Sequence, residues 1–445
     1  MKKRGDVMKK ILLLIRRGDL RMHDNPALQA AARSGSILPV FIWDEQNERL
    51  GAAAKWWLHE ALGSYIAQMD KAGASVVLKA GGTARIVQQM AAEENISAVY
   101  WNRHYPPAVY QADHKMAEEL EEKGIEAKTF EGDLLLPPWE TRKKDNSPYK
   151  VFTPFYKNIM TMSIPKPLPK VEKLTGFDHE QVSLSLEKLP LISGFPWHDK
   201  LSTHWTVSEQ AGLNRLHRFA KEKMNAYEEK RDLPAADGCS GLSPYLAAGQ
   251  LSPRYVYHYV LQSENSGSDF LRQLIWREFS WHVLFHFPDT LEKPFNPAFC
   301  SFEWVPENKE PIHCWQKGET GFDFIDAGMK EMWETGVMHN RVRMLAASFF
   351  TKHLLQHWTI GMRHFEDCLV DLDVASNVMG WQWTAGTGVD AAPYFRIFNP
   401  ELQAKKFDPD SIYIKKWLSG NRPTKIVDHQ AARKRALDRY NTIKK

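Results

Sequence analysis

Five short apolar runs open the chain: "ILLLI" (11–15), "SILPVFIW" (36–43), "ASVVLKA" (74–80), "ISAVYWN" (96–102) and "IEAKTF" (125–130). Amphipathic stretches of helical length separate them, among them "AKWWLHEALGSYIAQMDKAG" and "ADHKMAEELEEKG". Runs that stay apolar without alternating suit strands covered on both faces, and helix-length spacers suit parallel crossovers. The spacing therefore predicts an α/β domain over residues 8–135, a doubly wound parallel sheet. After the first run stands "RRGDLRMHDN", not GxGxxG, so a nicotinamide dinucleotide site is not supported. Such folds bind ligands beyond the carboxyl ends of their strands, where Trp43, Asp44, Asn102 and Arg103 lie.

The pattern then changes twice. Residues 136–202 carry "LLPPWE", "SIPKPLPK" and "ISGFPW" and read as a proline-rich connector. Residues 203–445 read as a large all-helical domain, with "QAGLNRLHRFAKEKMNAYEEK", "SDFLRQLIWREFSWHVLFHF" and "NRVRMLAASFFTKHLLQHW". A chain of 445 residues is too long for one ordinary core. The net charge is only +4, so a nucleic-acid partner would be met by a local basic patch. Four scattered cysteines without a CxxC speak for a reducing compartment and against a zinc or disulfide framework. The apolar run Ile11–Ile15 is too short for a secretory core and no stretch is long enough to span a membrane, so a cytoplasmic protein is expected.

Several segments carry residues suited to chemistry. In "WREFSWHVLFHF", Glu278 and Trp281 are three apart and share a helix face, a pairing suited to a flat, hydrogen-bonding ligand. Alone it is more often a core Trp beside a solvated Glu. Asn340 and Met344 project together from "TGVMHNRVRMLAASFF", flanked by Arg341 and Arg343, though a solvated arginine face explains that as well. "DLDVASN" places two acids and an Asn before a tryptophan pair; it lacks the His or third acid a metal would want, and suits hydrogen bonding to a polar cofactor or a set of Asx turns. "GCSGLSPYL" is a candidate phosphate cradle or a plain helix cap. Trp381 and Trp383 cannot share a helix face, so they look in different directions.

Together these segments resemble the photolyase/cryptochrome flavoprotein family. The resemblance covers nearly the whole chain and rests chiefly on "LIWREF", "TGVMHNRVRM", "DLDVASN" and "GWQWTAGTGVDAAPYFRIFNP". It implies FAD in the helical domain, held by Tyr227, by the turn Cys239, Ser240, Gly241, Leu242 and Ser243, and by Arg343, Asp371, Asp373 and Asn377, with Asp371 paired to Arg343 and Asn377 at flavin N5. The family often has Thr where Cys239 stands. By resemblance, Trp383 stacks on a flipped pyrimidine dimer, and Trp381 starts an electron chain through Trp358 to Trp315 near the surface. Glu278, Trp281, Asn340, Arg341 and Met344 would line the lesion pocket, and Arg341 and Arg396 would meet DNA.

Enzymes of the family that act on the 6-4 photoproduct have His at the positions of Asn340 and Met344. The resemblance therefore points to a cyclobutane-dimer enzyme acting on DNA, a monomer of the bacterial class III kind. A second, antenna chromophore in the α/β domain is implied, with methenyltetrahydrofolate favoured over 8-hydroxydeazaflavin and Trp43, Asp44, Asn102 and Arg103 as its contacts. A cryptochrome light sensor and a 6-4 enzyme are the alternatives within the family. A flavin oxidoreductase would need a nicotinamide site.

Overall fold

The computed structural model describes residues 8–192, 194–263, 267–391, 395–420 and 422–444. Strands β1 (Lys10–Ile15), β2 (Ser36–Trp43), β3 (Val77–Ala80), β4 (Ala98–Asn102) and β5 (Glu126–Phe130) form one parallel sheet in the order β3-β2-β1-β4-β5. The expected doubly wound α/β domain is present. The period of two along β1 sends Ile11, Leu13 and Ile15 into one apolar layer and Leu12 and Leu14 into the other. Helices α1 (Pro26–Ser34) and α2 (Ala52–Ala72) supply the first layer. Helices α3 (Thr83–Glu93) and α4 (Pro107–Glu122) supply the second.

The connector is folded back onto this domain. It contains α5 (Phe152–Ile159), bridges Gly176 to Ile37 of β2, and donates a hydrogen bond from Leu184 N to Leu78 O of β3. After it come α6 (Asp199–His204), α7 (Glu209–Glu222), α8 (Tyr227–Lys230), α9 (Ser243–Ala247), α10 (Pro253–Gln262) and α11 (Ser268–His286). A second group comprises α12 (Lys309–Lys317), α13 (Asp323–Thr335), α14 (Asn340–Ser348), α15 (Trp358–Cys368) and α16 (Val374–Ala385). The chain ends in α17 (Pro400–Phe407), α18 (Ile412–Trp417) and α19 (His429–Ile443). Among the described residues no strand lies beyond β5, and no helix is long and apolar enough to cross a membrane.

The two halves share one core, which runs from Trp56 and Trp57 of α2 into α7, α10 and α11. Polar ties cross the same boundary. The buried Arg254–Asp24 pair meets at 2.9 Å, and Arg17 donates to Leu372 O at 2.6 Å. Helices α13 to α16 pack around a second core of their own, which holds Trp315, Trp358 and Trp381.

Candidate active site

Helix α16 organises the site. The Asp373 side chain caps it by accepting from Ser376 N at 2.8 Å. Trp381 and Trp383 then emerge about 200° apart around the axis. Trp381 is buried against Phe365, Phe350 and Trp315, with ring centroids 5.0, 5.9 and 6.0 Å away. Trp383 is half-buried and donates its indole N–H to Asp390 O at 3.0 Å. The Trp381 ring lies on Gly361 of α15: a Cβ there would stand 2.2 Å from the ring. Only glycine allows α15 and α16 to close around that indole.

A cavity of about 180 Å³ opens beside Trp381, walled by Asn340, Arg343, Met344, Asp371 and Asn377. Arg343 Nη2 donates to both Asp371 oxygens, at 2.9 and 2.8 Å, as the sequence implied. Ser243 Oγ donates to the same carboxylate at 2.8 Å and ties the Cys239–Ser243 turn to the cavity. Asn377 Nδ2 donates to Met362 O at 3.3 Å. The buried Trp381 indole N–H finds no partner among the described residues. An unmet buried donor costs about 1–3 kcal/mol, so this wall fits a ligand that carries acceptors, as a flavin does. Tyr227 and the turn residues Cys239, Ser240, Gly241 and Leu242 stand apart from this cavity. Tyr227 packs on Phe219 and Phe270, Ser240 Oγ accepts from Leu242 N at 3.3 Å, and Gly241 takes φ +64°.

Helix α11 corrects the lesion-pocket assignment. Glu278 is 3% exposed and Trp281 5% exposed. Glu278 Oε2 accepts from Leu135 N at 2.9 Å, so it pins the connector to the helix. Burial pushes its carboxyl up to about 8, against the pull of Arg277. The Trp281 indole donates to Asp373 Oδ2 at 2.9 Å, facing away from Trp383. The opposite face of α11 carries Gln273 and Trp276, both half-exposed. Trp276 stacks on Phe152 at 3.6 Å and 6°. The Asp390 carboxylate accepts from the Phe152 backbone, and the Asp390 carbonyl accepts from Trp383. Trp276 and Trp383 are thus held together through Phe152 and Asp390.

Asn340 is exposed at the start of α14, with its amide 3.7 Å from Met344 Sδ, and both face the cavity. Arg341 does not join them. It pairs with Asp232 and lies over the Phe407 ring at 4.9 Å, which removes it from the lesion pocket and from a free DNA rim. Arg396 is exposed.

The tryptophan series expected to carry electrons does not reach the surface at Trp315. Trp315 is fully buried, its indole donating to Ala346 O at 3.1 Å, so it is not a surface terminus. Trp358, one turn before Gly361, stacks on His357 with centroids 5.7 Å apart, and the half-exposed Trp304 sits 5.3 Å from that imidazole. Trp304 occupies the place the sequence reading gave to Trp315.

Two adjoining cavities lie on the α/β domain, the second reaching across to the helical half. One, of about 170 Å³, is walled by Arg16, Asp44, Glu48 and Thr83. The other, of about 340 Å³, is walled by Arg17, Glu48, His104, Arg277, Trp281 and Asp373. Of the four antenna candidates, only Asp44 reaches them. Trp43 is buried in the core under Lys55. Asn102 is used up by Asp19, Asn25 and Ala27 N, where it secures the start of α1. Arg103 is held by Glu131 and Thr129.

Comparison with known proteins decides the family. Residues 11–172 match the DNA photolyase model, and residues 270–423 match the FAD binding domain of DNA photolyase. A deoxyribodipyrimidine photo-lyase of Agrobacterium fabrum is 38% identical, over 96% of this chain and 97% of that one. The chain belongs to the photolyase/cryptochrome family. A bacterial class III photolyase structure from Agrobacterium tumefaciens superposes with a TM-score of 0.94 at 37% identity, covering 98% of each chain. Cryptochrome-2 of Arabidopsis thaliana is 32% identical over 95% of this chain and 72% of its own length.

Within this photolyase-family chain, the residues missed from sequence left faint signals. Trp276 opens "WREF", where the Glu278 carboxylate two residues on is the more conspicuous chemical group. Arg16 and Arg17 follow β1, at the carboxyl edge where doubly wound sheets bind ligands. Nothing local distinguished Trp304 from Trp315.

Proposed function

We propose that this photolyase-family member repairs cyclobutane pyrimidine dimers in DNA by light-driven electron transfer. One observation carries the reading: two half-exposed indoles, Trp276 and Trp383, are linked through Phe152 and Asp390, and Trp383 stands on the same helix as Trp381, which walls a cavity together with Asn340 and Met344. DNA would lie by its phosphates on exposed cations such as Arg396 and Arg272. Flipping a dimer out costs a few kcal/mol, the less because a damaged pair is already weakened. Stacking on Trp276 and Trp383 offsets that at about 1–3 kcal/mol per base. The Gln273 and Asn340 amides can meet pyrimidine carbonyl and N–H edges, and Met344 covers the ring face. Arg343, Asp371 and Asn377 would hold FAD in the cavity, where the reduced cofactor would supply, under light, the electron that ring opening borrows and gives back. Asp371, locked to Arg343 and Ser243, would hold the cofactor's polar part, and the Asn377 amide would meet the flavin ring. Trp381, Trp358, His357 and Trp304 form the route by which an electron from the surface would reach the flavin.

An antenna chromophore, methenyltetrahydrofolate in preference to 8-hydroxydeazaflavin, is proposed for the cleft between the halves. Arg17 and Arg277 supply cations there and Trp281 a flat apolar wall.

The cyclobutane dimer is favoured over the 6-4 product because Asn340 and Met344 cannot act as a general acid. The neighbouring His339 is occupied in capping Arg341 N, and burial holds its imidazole down at about 4. The test is illumination of two oligonucleotides, one per lesion, with the reduced protein. Repair of the cyclobutane strand alone is expected. Equal repair of the 6-4 strand would remove the assignment, and repair of neither would favour a sensor.

A further inference from the structure

A fourth cavity, of about 370 Å³, lies apart from the three described so far. Helix α7 presents Asn214, Arg215 and Arg218 to it, and His204, Thr206 and Tyr245 complete the walls. No acidic residue lines it. Several other arginines have carboxylate partners, as Arg16 with Asp113, Arg254 with Asp24, Arg277 with Asp133 and Arg343 with Asp371. Arg215 and Arg218, three apart on one helix face, have no ion pair among the described residues.

The donors are also preorganised. The Arg215 guanidinium lies over the Trp205 ring at 5.1 Å and beside the Tyr245 ring at 6.0 Å. The Tyr245 hydroxyl is itself fixed by donating to Thr206 O at 2.8 Å. From below, Arg215 Nη1 fills the space under the Gly241 turn, where a Cβ would stand 2.5 Å away on a backbone already at φ +64°. The Asn214 carbonyl accepts from Gln210 at 2.9 Å, which turns its amide N–H groups free for a ligand. A guanidinium held on aromatic faces loses little entropy on binding an anion. Two such cations and an amide suit phosphate oxygens bound at more than one point. The volume exceeds what one inorganic phosphate fills and falls within the range of small-molecule sites.

We propose that this cavity binds a nucleoside diphosphate through Arg215, Arg218 and Asn214, separately from the flavin cavity. ADP also resembles half of FAD, so the experiment uses flavin-saturated protein. Calorimetric titration with ADP should give one site per chain with the flavin absorbance unchanged. Arg218→Ala, an exposed change outside the flavin cavity, should weaken ADP binding about tenfold, or 1.4 kcal/mol. Arg218→Lys should restore part of it. Inorganic phosphate should compete weakly, and adenosine should not compete. Absence of ADP binding, binding indifferent to Arg218→Ala, binding accompanied by flavin release, or phosphate binding as tightly as ADP would each overturn the proposal.

Discussion

The two faces of α11 carry the same kinds of side chain and have opposite fates. On one face Trp281 and Glu278 are sealed between the connector and the cap of α16. On the other, Trp276 and Gln273 stay half-exposed beside Phe152. Each face offers an indole and a hydrogen-bonding side chain three residues away, so composition does not separate them. The surroundings do: Asp373 and the Leu135 amide satisfy the first face internally, while the second keeps indole surface and an amide for something outside the chain. A half-exposed aromatic fixed by stacking is a better substrate candidate than a buried one fixed by hydrogen bonds.

Paired substitutions test this contrast most strongly. Trp281→Ala leaves a cavity in the core and should cost about 3–5 kcal/mol of stability, read by denaturant unfolding, with affinity for dimer-containing DNA little changed in the folded fraction. Trp276→Ala should leave most of the stability and cost about 1–3 kcal/mol in binding a dimer-containing oligonucleotide. Undamaged DNA, held by phosphates, should bind both variants as before. If Trp281→Ala loses dimer affinity while Trp276→Ala keeps it, the two faces have been exchanged.

A change at Glu278 has a smaller effect and a definite sign. An unfolded glutamate loses its proton near pH 4.3, whereas the folded one keeps it to about pH 8. Between those values the folded chain binds more protons, so stability falls as pH rises and levels off above about 8. Glu278→Gln removes that slope. The variant should gain roughly 3–4 kcal/mol relative to the native chain between pH 5 and pH 8. Parallel stability–pH curves would mean that Glu278 is not buried as described.

The smallest expected effect on folding concerns two other tryptophans of contrasting burial. Trp304→Phe should slow light-driven reduction of bound, oxidised flavin several-fold. Trp315→Phe should slow it much less, because Trp315 is enclosed and leads to no surface. Repair by chemically reduced protein should survive both changes. A stronger block from Trp315→Phe would restore the original surface assignment.

Long, periodic features were legible in the sequence. The five strands appear where their runs lie; β1, β2 and β4 are the ones covered on both faces, and such strands must be apolar throughout. Asn340 with Met344 and the divergence of Trp381 from Trp383 could also be read, since helical periodicity fixes such relations, whereas the Arg343–Asp371 pair, 28 residues apart, was implied only by the family resemblance. Arg341 was misjudged because its partner, Asp232, is 109 residues away in the chain. Asn102 was misjudged for a similar reason: a strand-end amide suits a ligand equally well whether or not the loop beside it has already claimed its hydrogen bonds.

The sequence by itself determined the layered α/β half, the helical half, the family, and the residues around Trp381. Those follow from periodicity and from contiguous segments, which local chemistry constrains. Only the tertiary structure decided which face of α11 meets the outside, which tryptophan ends near the surface, and which basic residues remain unpaired. Each of these depends on a partner tens to hundreds of residues distant, and a side chain's role is settled by whether such a partner has already satisfied it.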